Sequence, residues 1–224
     1  MIWPFSRPAL PPLDAAGSAR RAALARQEID LKRPLADMRW CVVDVETGGL
    51  DAARDPLLAI GAVAIERGRI VLDASLEVGL TQAQSTAAAN ILIHGIGGSE
   101  QRAGQAPHEA LLDWLEFSRG APRVAFHAAF DQAVLQRAVR AQLGLAIDAP
   151  WFDAAGVAPL LFPDAAPHCR HLDDWLAHFG IAVYARHGAL ADAYATAELW
   201  LILLQAAQRD NIATAHQLRG LLRA

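Results

Sequence analysis

The sequence predicts an α/β fold in which helices flank a mixed β-sheet. Three apolar, β-branched segments follow one another between residues 41 and 78, a pattern typical of adjacent strands. Beyond residue 107, helical periodicity alternates with short segments of strand character. Adjacent strands followed by alternating helix and strand predict an antiparallel part of three strands that is extended by parallel ones.

The individual elements are predicted from pattern and turn chemistry. Cys41–Thr47 is a buried strand that carries two acids, and Leu57–Glu66 and Ile70–Val78 form a hairpin around a short turn at Gly68. A proline in the first turn favours a helix over Pro107–Phe117. The remaining predictions are a strand over Arg123–His127 and helices over Gln132–Gln142, Leu172–Phe179 and Ala189–Gln208.

Two segments flank this domain. Residues 1–13 are proline-rich, and Asp14–Arg33 is alanine-rich without an internal proline, which predicts a helix that ends before Pro34. We therefore expect an N-terminal extension over 1–37, a main domain over 38–208 and a C-terminal tail over 209–224.

Composition narrows the class of protein. The chain has 224 residues, of which 54% are hydrophobic, and its longest apolar run, Leu199–Leu204, is too short to cross a bilayer. The first residues lack the long apolar core of a secretion signal. Cys41 and Cys169 are too few for a disulfide framework or a cysteine zinc site. We expect a cytoplasmic protein with no membrane partner.

Asp44 and Glu46 are the first anomaly in the pattern. Residues two apart in a strand project from the same face, so both carboxylates emerge side by side. Two acids on an otherwise apolar strand are costly to bury unless a cation or strong hydrogen bonds compensate them. The flanking valines argue against a merely solvated face. A turn with two glycines then leads to Leu50.

Three further polar residues stand beside predicted helix starts. Taken alone, Asp131 is best interpreted as an N-cap, and Asp192 as an acid favoured by the helix dipole. His187 alone would be a solvated histidine just before the last long helix. Their order and spacing relative to Asp44 and Glu46 change that interpretation.

Taken together, these residues resemble the three motifs of the DEDDh family of 3′→5′ exonucleases, which includes the proofreading epsilon subunit of bacterial DNA polymerase III and ribonuclease T. The first motif is matched by Asp44, Glu46, Thr47, Gly49 and Leu50. Phe130 and Asp131 match the second, and His187 with Asp192–Ala197 matches the third. A lesser feature of the family appears at Ile93–Ile96. Matches at several separated places make the resemblance specific.

The resemblance implies a ribonuclease H-like fold with a mixed five-stranded sheet, and it assigns roles to the motif residues. Asp44, Glu46, Asp131 and Asp192 would bind two divalent metal ions, Mg²⁺ or Mn²⁺, with Asp44 shared between them. His187 would act as general base. The terminal nucleotide would be contacted by Thr47, Leu50, His94 and Phe130.

The implied function is release of nucleoside 5′-monophosphates from single-stranded DNA 3′ ends, in proofreading or repair, with nucleic acid and a DNA polymerase or repair protein as partners. Phe126 and His127 depart from the family, which usually has His-Asn there. Three alternatives stay open. They are trimming of RNA 3′ ends, an inactive relative that binds nucleic acid or protein, and a hydrolase of small phosphodiesters.

Other polar clusters receive plainer interpretations. His168, Cys169 and His171 lack a fourth ligand at zinc spacing. We interpret Asp153 as structural. The segment Gln217–Leu222 faintly resembles a sliding-clamp binding peptide, but a frayed terminal helix is the simpler explanation.

Overall fold

The structure is a computed structural model that describes residues 10–24, 28–83, 96–183 and 188–222. Within them, a five-stranded sheet has the order β3-β2-β1-β4-β5. The first three strands pair antiparallel, whereas β4 pairs parallel with β1 and β5 parallel with β4. This confirms the predicted mixed sheet. The strands are β1 Trp40–Thr47, β2 Leu57–Glu66, β3 Arg69–Gly79, β4 Arg123–Ala125 and β5 Trp151–Asp153.

Helices cover both faces of the sheet. In β1, Trp40 and Val42 belong to a core cluster that includes Trp200, whereas Val43 and Val45 belong to a second cluster that includes Trp114. Even-numbered residues of β1 therefore face the last long helix, and odd-numbered ones face the opposite layer. The helices are α1 Ala15–Ala23, α2 Gly98–Ala103, α3 Pro107–Phe117, α4 Ala128–Leu143, α5 Ala154–Leu161, α6 Leu172–Phe179, α7 Ala189–Arg209 and α8 Ala215–Leu221, with a 3₁₀ turn at Leu35–Asp37.

The predicted helix over Asp14–Arg33 was too long. Helix α1 ends at Ala23, and residues 28–33, which the prediction included, are not helical. Asp30 accepts the backbone N–H of Lys32 at 2.9 Å, and the carbonyl of Leu31 accepts the N–H of His216. These bonds divert backbone groups that a continued helix would need.

Helix α4 begins at Ala128, four residues earlier than predicted, and β4 ends at Ala125. The N-cap of α4 is His127, whose φ of 61° breaks the strand. The N-cap interpretation of Asp131 was therefore wrong, because Asp131 lies in the first turn of the helix.

Two described helices, α2 and α5, were not predicted, and α8 was expected only as a frayed terminal helix over Gln217–Leu222. Helix α5 contains Pro159, which removes a helical hydrogen bond and so argues against a helix in the sequence. Helix α8 begins with a capping box between Thr214 and Gln217, and its Leu218 is 1% exposed. It is a packed helix rather than a frayed end.

Parts of both flanking segments contact the main domain. Arg20 on α1 forms ion pairs with Glu109 at 2.7 Å, Asp113 at 2.5 Å and Glu116 at 2.7 Å, all on α3. Leu35, in the same N-terminal segment, packs in the core cluster that includes Trp200 and is 1% exposed. The domain boundaries themselves stay predictions. Among the helices of the described residues, none is both long and apolar enough to cross a bilayer.

Candidate metal centre and active site

Three of the predicted carboxylates converge at the end of β1. One ligand oxygen from each of Asp44, Glu46 and Asp192 lies within 4.8 Å of the others. Asp44 and Glu46 project from the face of β1 that α7 covers, and Asp192 lies in the first turn of α7. The alternation of the strand thus presents two acids to a helix that delivers a third.

The chemistry of this donor set fits hard cations. Three carboxylates so close together repel one another, and a positive charge between them offsets that repulsion. All three donors are oxygens, without thiolate or imidazole, which is the set preferred by Mg²⁺ and Mn²⁺. Across the described ranges, no other group of histidine, cysteine, aspartate or glutamate side chains meets this geometry. The acidic cluster is therefore suited to divalent metal.

Asp131 is buried beside this cluster but is not part of the group of three. It is 4% exposed. Burial raises the pKa of its carboxyl to about 8, and the charges of Asp153 and Glu46 add to the rise, while hydrogen bonds from its own N–H and that of Val45 oppose it. Its bond to Val45 ties α4 to β1. A cation near Glu46 would favour the ionised form of Asp131.

Asp153 holds the turn that carries Asp131. Its Oδ1 accepts the backbone N–H groups of His127 at 2.9 Å, Ala128 at 3.3 Å and Ala155 at 3.0 Å. It therefore caps α5 and also fixes the first residues of α4. The sequence interpretation of Asp153 as structural missed this second contact. An acid between a strand and a helix was the available signal, but it predicts only the local cap.

The departure at Phe126 and His127 has a backbone explanation. His127 is exposed and adopts the left-handed conformation, with φ 61° and ψ 48°. Asparagine, aspartate and histidine enter this region more readily than other residues with a β-carbon. His127 therefore meets the same backbone requirement as the usual asparagine. The ring of Phe126 lies edge-on to that of His127, with centroids 4.8 Å apart.

The loop after β1 presents Leu50 to solvent. The hydroxyl of Thr47 donates to the carbonyl of Gly49 at 2.6 Å, and the side chain of Asp55 packs so closely against Gly49 that a β-carbon there would require Asp55 to shift. Arg137 on α4 donates to the carbonyl of Asp55. Leu50 is 93% exposed, so its side chain is accessible to a ligand.

The structure leaves several predicted roles open. His187 and His94 lie outside the described residues, so the general base and one nucleotide contact stay predictions. Phe130 is half-buried against the second core cluster. Its predicted contact with a nucleotide, like those of Thr47 and Leu50, is not tested by the fold.

An open mixed sheet of this order, with acids at the end of its central strand and on a covering helix, is the arrangement of ribonuclease H-like nucleases. The family profile described as Exonuclease matches residues 41–200. The chain belongs to this exonuclease family.

Relatives of this chain carry the names of DNA polymerase III proteins. The chain is 31% identical over 204 residues to a DNA polymerase III subunit epsilon-like protein of Rhodobacter capsulatus, covering 90% of this chain and 28% of the relative. It is 28% identical over 183 residues to a PolC-type DNA polymerase III of Caldanaerobacter subterraneus, covering 82% of this chain and 13% of the relative. The chain thus spans less than a third of either relative's length.

Solved structures share the fold. Escherichia coli exonuclease I in complex with a dA16 oligonucleotide superposes with a TM-score of 0.65 at 16% identity, covering 77% of this chain and 42% of that one. Exonuclease X in complex with 5′ overhanging duplex DNA gives a TM-score of 0.62 at 20% identity, covering 82% and 99%. The predicted ribonuclease H-like fold is confirmed.

Proposed function

We propose that the chain is a metal-dependent 3′→5′ exonuclease that releases nucleoside 5′-monophosphates from single-stranded DNA. The observation that carries the proposal is the convergence of Asp44, Glu46 and Asp192 within 4.8 Å in a member of the exonuclease family. Exonuclease I and exonuclease X are solved with DNA, which supports DNA as the substrate. A DNA polymerase or repair protein is the proposed partner, supported by the names of the relatives.

Each site residue has a proposed part. Asp44, Glu46 and Asp192, with Asp131 beside them, would hold two divalent cations, Mg²⁺ or Mn²⁺. Such cations supply positive charge that stabilises the developing charge on the phosphate and on the departing 3′ oxygen. His187 would accept the proton of the attacking water, since its ordinary pKa lies near working pH.

The substrate would be oriented by side chains around the loop after β1. Leu50 would pack against the terminal nucleotide from its exposed position, with Thr47, His94 and Phe130 as the other contacts. A terminal nucleotide held in this way would place the phosphodiester on its 5′ side, which joins it to the preceding nucleotide, over the carboxylates. We expect Leu50→Ala to raise KM more than it lowers kcat, because packing against the base precedes the chemical step.

The test is cleavage of a 5′-labelled single-stranded DNA oligonucleotide with Mn²⁺. We expect a ladder that shortens from the 3′ end, and its loss in EDTA and in Asp44→Asn. Asp73→Asn is the matched control, because it removes an exposed carboxylate from β3, away from the cluster. An intact oligonucleotide with folded wild-type protein would overturn the proposal. Parallel RNA and chromogenic phosphodiester substrates would identify RNA trimming or small-molecule hydrolysis instead.

A further inference from the structure

Gly61 lies directly across the ladder from Asp44. The two residues are Cα partners in the antiparallel pairing of β2 with β1. Residues that oppose each other in an antiparallel pair project from the same face of the sheet. A side chain at position 61 would therefore project toward α7, the helix that carries Asp192.

The start of α7 occupies the space of that absent side chain. A β-carbon at position 61 would lie under 3.0 Å from the backbone of Ala189 and Leu190, closer than β-carbons come in real proteins. The colliding atoms are backbone, so no change of rotamer relieves the overlap. By contrast, a β-carbon at Gly188 or Gly220 would meet nothing within 4 Å. Glycine is required at position 61 for a close approach, not for a turn.

The first turn of α7 connects the close contact at Gly61 to the carboxylate cluster. The N–H of Asp192 donates to the carbonyl of Gly188 at 2.9 Å, which closes the first turn of α7 around Ala189 and Leu190. A shift of those two residues would carry Asp192 with it. Asp44 and Glu46 would stay in place, because they belong to the sheet that Gly61 itself helps to form.

We propose that Gly61 is a positioning residue that sets the distance between α7 and β1, so that the carboxylate of Asp192 closes the cluster with Asp44 and Glu46. The proposal rests on the proposed function of that cluster as a metal site. The nearest backbone atom would lie 2.1 Å from that β-carbon, so relieving the overlap needs a shift of roughly 1.5 Å to reach a van der Waals separation of about 3.5 Å. Carboxylate ligands hold small cations within narrow distance limits, and a misplacement of about 1 Å can cost about 100-fold in rate.

The test compares Gly61→Ala with Gly104→Ala. A β-carbon at position 104 would also collide with backbone, at 2.7 Å from Leu80 and Thr81, and the atoms nearest to it belong to none of the four acids. Mn²⁺ affinity is measured by electron paramagnetic resonance and kcat on the DNA oligonucleotide. Trimethylamine N-oxide keeps both variants folded, which circular dichroism verifies.

We expect Gly61→Ala to weaken Mn²⁺ binding at least about tenfold and to lower kcat about 100-fold, whereas Gly104→Ala loses stability but keeps its Mn²⁺ affinity. Adding Asp192→Glu should partly restore Mn²⁺ binding in the Gly61→Ala background, because the extra methylene spans the shift. The same substitution should weaken binding in the wild type.

Three results would overturn this role of Gly61. They are unchanged Mn²⁺ affinity in folded Gly61→Ala, equal losses in both glycine variants, and the same effect of Asp192→Glu in both backgrounds. The proposed function fails separately. A wild type that binds Mn²⁺ but does not cleave would overturn only the exonuclease activity, and the Mn²⁺ comparison would still decide the role of Gly61. A wild type that binds no Mn²⁺ overturns both.

Discussion

Asp153, the last residue of β5, accepts the backbone N–H of His127 at 2.9 Å, and His127 is the N-cap of α4. Two neighbouring parallel strands are thereby joined at their carboxyl ends, beside the cluster of acids. This hydrogen bond stabilises a left-handed residue that the chain would otherwise adopt at a cost.

We expect Asp153→Ala to lower the free energy of unfolding by about 1–3 kcal/mol, because three backbone N–H groups lose their acceptor. Asp153→Asn keeps an oxygen in the same place and should cost less. Urea denaturation of both variants measures the difference. Equal losses in the two would show that the charge of Asp153, not its role as acceptor, matters.

The carboxylate cluster predicts opposite effects of one substitution in two buffers. In EDTA, Asp192→Asn should raise the thermal midpoint, because it removes repulsion with Asp44 and Glu46. With Mn²⁺ at about 100 times its Kd, the wild type should gain about 2.7 kcal/mol and overtake the variant. Thermal melts in both buffers are the measurement. A variant that melts below the wild type in EDTA contradicts the prediction.

The ion pairs of Arg20 predict that the packing of α1 against α3 depends on salt concentration. Arg20→Ala removes ion pairs with Glu109, Asp113 and Glu116 and leaves three acids along one helix. Exposed pairs contribute about 0–1 kcal/mol each, so we expect a loss of about 1 kcal/mol at low salt that shrinks near 1 M NaCl. Arg69→Ala, an exposed arginine on β3, is the control.

That prediction is checked by urea denaturation at both salt concentrations, with limited proteolysis of α1 as a second measurement. Cleavage within α1 should become faster in Arg20→Ala than in Arg69→Ala. A loss of stability that is the same at low and high salt would contradict an electrostatic origin.

The hydrogen bonds that Asp174 accepts predict that the stability of the protein to urea depends on pH. Its carboxylate accepts the N–H groups of His171 at 2.8 Å and Arg170 at 2.9 Å, and these bonds lower its pKa from 3.8. A carboxyl whose pKa is lowered by folding contributes its full stabilisation at pH values above its pKa in the unfolded state. That contribution is lost as the pH falls through the pKa of the folded state. The difference in urea midpoint between wild type and Asp174→Ala should therefore be largest near neutral pH and should vanish in acid. A constant difference would contradict this.

Local patterns predicted most of the sheet and several of the helices. The ends of β2 and α3 were correct because the turn at Gly68 and the proline at Pro107 are local signals. Helix α5 was missed because tertiary packing overrides the cost of Pro159, and α1 was overextended because alanine content does not show that Leu31 is bonded to α8.

The candidate site, like the fold, could be predicted from the sequence only in part. The alternation of β1 predicted that Asp44 and Glu46 share a face, and the structure brings Asp192 to them. The motif pattern could not show that Asp131 stands slightly apart, held by the N–H of Val45, because that bond depends on how α4 meets β1. It also could not show the close approach at Gly61, since a glycine in a strand gives no indication of what packs against it.

The cluster draws its acids from two parts of the chain that are made at different times. Asp44 and Glu46 are synthesised early and occupy one strand, whereas Asp192 follows only after most of the sheet has been translated. A nascent chain therefore carries an incomplete set of ligands until α7 has left the ribosome and docked. The proposed nuclease would therefore lack a complete site until its fold is finished.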